Sequence, residues 1–263
     1  MTIGIFDGVH RGHAELLRRV VRKGKNPTVV TFRENPKKFF EPQNYPGDIF
    51  SLEQKLSAFK ILGIEQIILI DFSEYFSRLK WEEFISLLHE RGNMCFLVIG
   101  SGFRCGHRLD ADAAFIKSMN EAKGIPTEII PPLGDDFGSI SSSRIRAAII
   151  QGDLPLATAL LGRNIELDLA PGVSELWDDG EGLVFEINDR LVPPPGQYRA
   201  LLELVEQSDK QVWEGEIVIG IKELIIPFSR NRPLGYIPGL KFNRRIKIRF
   251  LNGPKAQVPN LGV

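Results

Sequence analysis

The sequence predicts an α/β chain in two parts: a parallel sheet covered by helices on both faces, then a small antiparallel β domain. Three observations predict it. Strand-like runs at Thr28–Phe32, Gln66–Ile70, 95–99 and Thr127–Ile130 are rich in β-branched and apolar residues without a polar–apolar alternation. A strand reads that way when both of its faces are covered. Between these runs lie stretches with apolar residues at helical spacing, so strand and helix alternate. Beyond about Arg163 the pattern changes to short strands separated by turns rich in Pro and Gly, such as Pro193-Pro194-Pro195-Gly196.

Taken in order, residues 2–6 form a brief first strand. The helix that follows carries Leu16, Leu17, Val20 and Val21 on one face and Arg18, Arg19, Arg22 and Lys23 on the other; Gly24 stops it. After the strand at 28–32 comes a loop holding Pro36, Pro42 and Pro46. Ser51 with Gln54 forms a capping box for a helix through Leu56 and Phe59 to Gly63. Trp81, Phe84, Ile85 and Leu88 line the next helix, which ends at Gly92, and a further helix spans 111–123. Ser141 opens a helix to Ile150, Gly152-Asp153 breaks it, and a short helix follows to Leu161. This alternation is Rossmann-like, and the domain is expected to span 1–163. The second domain, 164–263, is expected to hold strands at 183–187, 198–205, 212–219, 222–226 and 245–251, as a barrel or sandwich.

Composition excludes some functions. Lys plus Arg and Asp plus Glu are both 33 in 263 residues, so the net charge is zero. General binders of nucleic acid or of membrane surfaces need a field of one sign, so an anionic ligand must be held by local charge. No apolar run is long enough to span a bilayer, and the first residues lack a signal pattern. The only cysteines are Cys95 and Cys105, read as free thiols of a reducing, cytoplasmic compartment.

In an open parallel sheet, ligands bind beyond the carboxyl ends of strands, at helix N-termini. Four loops leave strands in that direction. The first is Phe6-Asp7-Gly8-Val9-His10-Arg11-Gly12-His13. Gly8 and Gly12 permit tight turning and close approach to a ligand. His10 and His13 stand three apart where the helix opens, so both rings can face one pocket. Helix amides beside two imidazoles suit a polyphosphate. A capped tight turn, or a metal held by His-x-x-His with Asp7, are other readings of the same residues.

The second loop, Thr31-Phe32-Arg33-Glu34-Asn35-Pro36, reads as a strand end. The third, Gly100-Ser101-Gly102-Phe103-Arg104-Cys105-Gly106-His107-Arg108, follows a strand as a dinucleotide fingerprint would, but its third glycine is one residue too far and no helix starts directly after it. Its charges fit an anion site and, equally, a solvated loop. The fourth, Ser141-Ser142-Ser143-Arg144-Ile145-Arg146, exceeds the needs of a cap and points to phosphate. The chain has no P-loop, no Gly-x-Ser-x-Gly elbow and no His-Glu-x-x-His. Cys95 is expected in the core and His89 at a helix-end surface.

These four loops, in this order, resemble the adenylyltransferase domain of the prokaryotic bifunctional riboflavin kinase/FAD synthetase family over residues 3–163. Gly4-x-Phe6-Asp7-Gly8-Val9-His10-x-Gly12-His13 fits the family's opening signature, including its His-x-Gly-His core. Ser141-Ser142-Ser143-x-Ile145-Arg146, then Gly152-Asp153 and Leu161-Gly162-Arg163, match its closing motif. The chain departs where the family has Thr-Phe-x-Pro-His-Pro: Glu34 and Asn35 replace Pro and His. It departs again at Gly102 and Cys105. The Pro-Thr-Ala-Asn of the family's kinase barrel does not occur in 164–263.

The resemblance implies an FMN adenylyltransferase, moving AMP from ATP to FMN with Mg²⁺ present, beside a degenerate riboflavin kinase barrel. It implies His10, His13, Arg144 and Arg146 as catalytic residues. Around ATP it implies Gly4, Phe6, Asp7, Gly8, Gly12, Gly100, Ser141, Ser142 and Ser143; on the flavin side it implies Thr31, Asn35, Phe103, Arg104 and Arg108. It names no protein metal ligand, and its partners are small molecules, with no nucleic acid and no membrane. Two alternatives remain: a nucleotidyltransferase for another phosphorylated acceptor, and a non-catalytic nucleotide or flavin sensor.

Overall fold

The computed structural model describes residues 1–169, 174–176, 182–187, 190–205, 210–221, 223–227 and 245–251. By packing, the chain forms two compact units, Met1–Tyr45 with Leu52–Ser141, and Pro46–Ser51 with Ser142–Val263. The helices expected at 142–161 thus pack with the second unit, although sequence reading grouped them with the first.

The first unit runs β1 (Thr2–Ile3), α1 (Arg11–Lys23), β2 (Thr28–Phe32), α2 (Pro36–Phe40), α3 (Leu52–Ile61), β3 (Gln66–Ile70), α4 (Glu74–Ser77) and α5 (Trp81–Glu90). It continues with β4 (Leu97–Gly100), β5 (Arg104–Cys105), β6 (Ala111–Asp112), α6 (Ala113–Ala122), β7 (Thr127–Ile130), β8 (Gly134–Asp135) and β9 (Gly138–Ser139). Five strands make one parallel sheet in the order β3-β2-β1-β4-β7. The chain builds outward from β1 to β3, then returns to the other side of β1. The strand order therefore reverses between β1 and β4, and the crevice beyond their carboxyl ends is the ligand position for such a sheet. Val29, Val30, Leu97, Val98 and Ile99 are wholly buried, which explains their uninterrupted apolar run.

Helix ends follow local chemistry. The Asn35 side chain accepts from Lys37 N and Pro36 stands in the first turn, so α2 opens inside what sequence reading treated as loop. Asp112 accepts from Phe115 N and starts α6. The two residues before it pair with β5 as a hairpin, which shortens the helix expected at 111–123. Strand β4 starts at Leu97, so Cys95 is exposed and not in the core. His89 is an exposed residue in the last turn of α5, as expected.

The second unit holds α7 (Ser142–Ile150), α8 (Leu154–Leu161), β10 (Glu166–Leu169), β11 (Ser174–Leu176), β12 (Gly182–Glu186), β13 (Gly196–Val205), β14 (Lys210–Ile219), β15 (Glu223–Pro227) and β16 (Arg245–Phe250). Its strands form one antiparallel sheet, order β10-β16-β13-β14-β15-β12-β11, curled as a half-barrel. Strands β10 and β11 were not anticipated. Residue 222, expected in a strand, lies outside the described residues. Alternation sets the faces. Tyr198, Ala200, Leu202 and Leu204 of β13 point inward with Ile246, Ile248 and Phe250 of β16. On β10 the buried Asp168 is clasped through both carboxylate oxygens by Arg245, a bidentate geometry that suits arginine.

One polar atom in the first sheet is not accommodated. Thr2 is wholly buried between Val29 and Val98, and its hydroxyl has no hydrogen-bond partner among the described residues. Such a group costs about 1–3 kcal/mol. Thr2→Val keeps the shape and removes the hydroxyl. It is expected to stabilise the protein by about 1 kcal/mol, read as a melting temperature raised by about 2–4 °C. A lowered melting temperature would show that the hydroxyl is satisfied.

Candidate active site

The turn leaving β1 has a constrained backbone. Phe6, Gly8 and Val9 all have positive φ, at 54°, 77° and 38°. Glycine accepts this freely; for a β-branched valine it is a true outlier. Packing holds it: Phe6 and Val9 are almost fully buried. The Phe6 ring stands edge-on to Phe59 of α3 at 5.6 Å and to His13 at 5.2 Å. Helix α3 also packs against the turn Asp7–Val9. Gly4 is required beneath: a Cβ there would lie 3.0 Å from the Phe6 ring.

The turn presents two imidazoles together. The His10 and His13 rings stack at 3.6 Å between centroids with 19° between planes. His10 caps α1, its Nδ1 accepting from His13 N at 3.3 Å. Asp7 and His10 are both buried. A Cβ at Gly12 would lie 3.2 Å from Cε1 of His10 and 3.7 Å from the Ile140 carbonyl oxygen. The first loop and the residue leading into the Ser141 cluster are thus neighbours within one unit, and a side chain at Gly12 would press on the His10 ring.

Around this turn the carboxyl end of β2 is polar and buried. Thr31 donates from Oγ1 to the Ile5 carbonyl at 3.1 Å, so it braces the first loop from beneath. Asn35 spends its carbonyl oxygen on the cap of α2. Lys55 of α3 is buried and donates from Nζ to the Phe32 carbonyl at 2.6 Å. Beside them lies an aromatic group that sequence reading missed. Phe39, Phe40 and Phe72 meet edge-on at 5.4 Å, and Phe32 and Phe76 extend the group. Phe39 and Phe40 remain 47% and 62% exposed, which is unusual for rings already in a cluster.

The third loop leaves β4 at Gly100, where Phe103 N bonds back to the Gly100 carbonyl at 2.9 Å. Phe103 is half-buried against the core that includes Trp81 and Ile116. Arg104 and Arg108 are exposed on the β5–β6 hairpin; Arg104 reaches the Leu109 carbonyl at 3.5 Å, and Arg108 sits at φ 58°. In the fourth loop Ser141 ends the first unit. In the second unit Ser142 is half-buried and Ser143 exposed at the start of α7, Arg144 is half-buried, and Arg146 is buried with Nε donating to the Gly47 carbonyl at 3.4 Å. The structure therefore gathers Gly4, Phe6, Asp7, Gly8, His10, Gly12, His13, Thr31, Asn35 and Gly100 at one edge of the sheet. It leaves the third-loop arginines facing water. Among the described residues no three His, Cys, Asp or Glu side chains cluster as a metal centre.

The two thiols differ sharply. Burial, with the nearby Asp110 charge, pushes the Cys105 thiol up to about 12, while Cys95 is exposed. Thiolates react and thiols do not. Native protein treated with iodoacetamide at about pH 8 is expected to label at Cys95 alone, and at both positions once unfolded. Comparable native labelling of Cys105 would overturn its burial.

Comparison with known proteins agrees with this geometry. Residues 1–144 match the family model described as FAD synthetase. A bifunctional riboflavin kinase/FMN adenylyltransferase of Buchnera aphidicola subsp. Schizaphis graminum is 32% identical over 169 residues, covering 62% of this chain and 54% of that protein. The protein of the same name from Escherichia coli K12 is 30% identical, covering 62% and 53%. That from Pseudomonas fluorescens is 28% identical, covering 85% and 73%. The chain spans about half the length of the first two. A crystal structure titled as a macrolide-efflux protein from Streptococcus pneumoniae shares the fold, with a TM-score of 0.76 at 23% identity, covering 100% of this chain and 88% of that one. With more than half of its length matched by the family model and the stacked histidine turn in place, the chain belongs to the FAD synthetase family.

Proposed function

We propose that this protein is an FMN adenylyltransferase, joining AMP from ATP to FMN and releasing pyrophosphate. One observation carries the reading: two stacked imidazoles on a strained turn at the strand-order reversal, with Gly12 against the chain entering the serine cluster. The reaction needs no covalent enzyme nucleophile. The FMN phosphate attacks the α-phosphorus in line, and the protein positions the groups and offsets charge.

In this reading His10 and His13 contact the triphosphate and steady the leaving pyrophosphate. Ser141, Ser142, Ser143, Arg144 and Arg146 serve its outer phosphates. Gly4, Phe6, Gly8, Gly12 and Gly100 shape the nucleotide side, with Phe6 working from beneath because it is buried. The exposed rings of Phe39 and Phe40 offer an apolar surface to the isoalloxazine, with Thr31 and Asn35 fixing the loop below it. Arg104, Arg108 and Phe103 border the flavin from the third loop. Mg²⁺ would ride on the phosphates, with Asp7 as the one acidic side chain of the first turn.

The adenylyl-transfer domain is taken as 1–163 and the remainder, 164–263, as a kinase-like barrel without riboflavin kinase activity, since the Pro-Thr-Ala-Asn tetrapeptide is absent from its sequence. A cytoplasmic location follows from the substrates.

The test is incubation with ATP, Mg²⁺ and either FMN or riboflavin, with flavins separated afterwards. FAD is expected from FMN and not from riboflavin. Flavin and ATP binding without pyrophosphate release would make the protein a sensor, and release only with another phosphorylated acceptor would move it to a different transferase. His13→Ala is expected to lower turnover by more than about tenfold; unchanged turnover would remove that residue from the chemistry.

A further inference from the structure

Residues 46–51 lie in sequence between α2 and α3, yet they pack with 142–263. Within that unit they form a strap fastened by backbone. Asp48 bridges to Arg190, and Leu191 N donates to the Asp48 carbonyl at 3.1 Å. Gly47 has φ 100°, and a Cβ on it would lie 2.6 Å from the Arg190 carbonyl carbon and 2.7 Å from Leu191 N. A side chain there would have to push two backbones apart, so glycine is required on both counts. Ile49, Phe50 and Ser51 are buried, and the Arg163 guanidinium stands 4.4 Å above the Phe50 ring. The segment that clasps the strap leads into β13 of the antiparallel sheet. On its way it passes the turn between α7 and α8, where a Cβ on Gly152 would lie 3.6 Å from Cδ of Pro194. The strap also meets α7 itself: Nε of the buried Arg146 donates to the Gly47 carbonyl at 3.4 Å.

A guanidinium is planar, and a bond at Nε fixes the plane in which its terminal amino groups lie. Two-pronged contact with phosphate oxygens depends on that plane. Arg146 has further contacts. The strap adds a carbonyl that is itself locked to the chain entering the β domain. We propose that Gly47 is a positioning residue for Arg146, and that residues 190–191 hold Gly47 in place for it. This gives the β domain a part in adenylyl transfer that needs no kinase chemistry. The proposal rests on the reading of Arg146 as a contact to the outer phosphates of ATP. The competing explanation is a plain brace, in which the strap stabilises the second unit and leaves the ligand untouched.

A double-mutant cycle on the whole chain separates the two: wild type, Gly47→Ala, Arg146→Ala and the double variant. Each protein is titrated by calorimetry with a non-hydrolysable ATP analogue and Mg²⁺, and its melting temperature is recorded. Arg146→Ala is expected to weaken analogue binding at least about tenfold, and Gly47→Ala at least about fivefold. The double variant is expected to match Arg146→Ala within about twofold, because the effect of the strap runs through that side chain. Wild-type affinity in Gly47→Ala overturns the proposal, even where the melting temperature falls, since that is what a plain brace gives. Losses that multiply in the double variant overturn it too, because they set the effect of the strap elsewhere. Unchanged affinity in Arg146→Ala removes the proposal together with the phosphate reading beneath it. If Gly47→Ala does not fold, Phe50→Leu takes its place in the cycle under the same criteria; it removes the ring under Arg163 and introduces no clash. If the wild-type protein binds the analogue but forms no FAD from FMN, the acceptor reading falls and the cycle still decides the role of Gly47. If it binds no triphosphate, the proposal and the phosphate reading fall together.

Discussion

The first unit depends on one constraint: the chain must turn from a two-residue strand into a helix in a handful of residues while bringing two histidine rings together. It does so through left-handed backbone at Phe6, Gly8 and Val9. Each such non-glycine residue costs about 1–3 kcal/mol. Burial of a large apolar side chain returns about 1.5–3 kcal/mol, and Phe6 and Val9 are both sealed. The aromatic contact with Phe59, the brace from Thr31 to the Ile5 carbonyl, and the bare Cα of Gly4 all act on the same few atoms. Helix α3 and strand β2 are therefore as much parts of the histidine turn as scaffold around it.

The charge pattern follows the same logic. A chain of zero net charge has no global field to gather polyanions. It must place a few cations and donors where water is scarce and leave the rest to solvent. Lys55 and Arg146 are buried and fixed on backbone carbonyls. The surface pairs Arg33–Asp71 and Arg22–Glu15 are exposed and worth little. The unit of charge that matters is set by position and not by count.

How much of this was legible in the sequence varies with the physics involved. The strands of the parallel sheet were, because burial on both faces writes an unbroken apolar run. The glycine-rich turn after β1 and the helix starting at the serines were, because glycines and polar helix starts have fixed meanings. Helices α2 and α4, of five and four residues, were not, since neither completes enough turns to show a period. Cys95 was misplaced because the apolar run begins two residues before the pairing, which starts at Leu97. Lys55 was invisible because lysine in a helix ordinarily means a solvated face. The aromatic group was invisible because its members come from three separate segments. The packing of α7 and α8 with the second unit is a long-range choice that no local pattern encodes.

The departure at Asn35 illustrates how a local change can redirect a site. The family pattern places histidine there, a side chain that can carry a proton. Asparagine cannot, and so the position loses acid–base and charge roles. It gains the strongest class of helix cap, with Pro36 already suited to the first turn. Capping fixes the short helix α2, and α2 carries Phe39 and Phe40 into contact with Phe72. The cap at Asn35 thus fixes an apolar face four and five residues on.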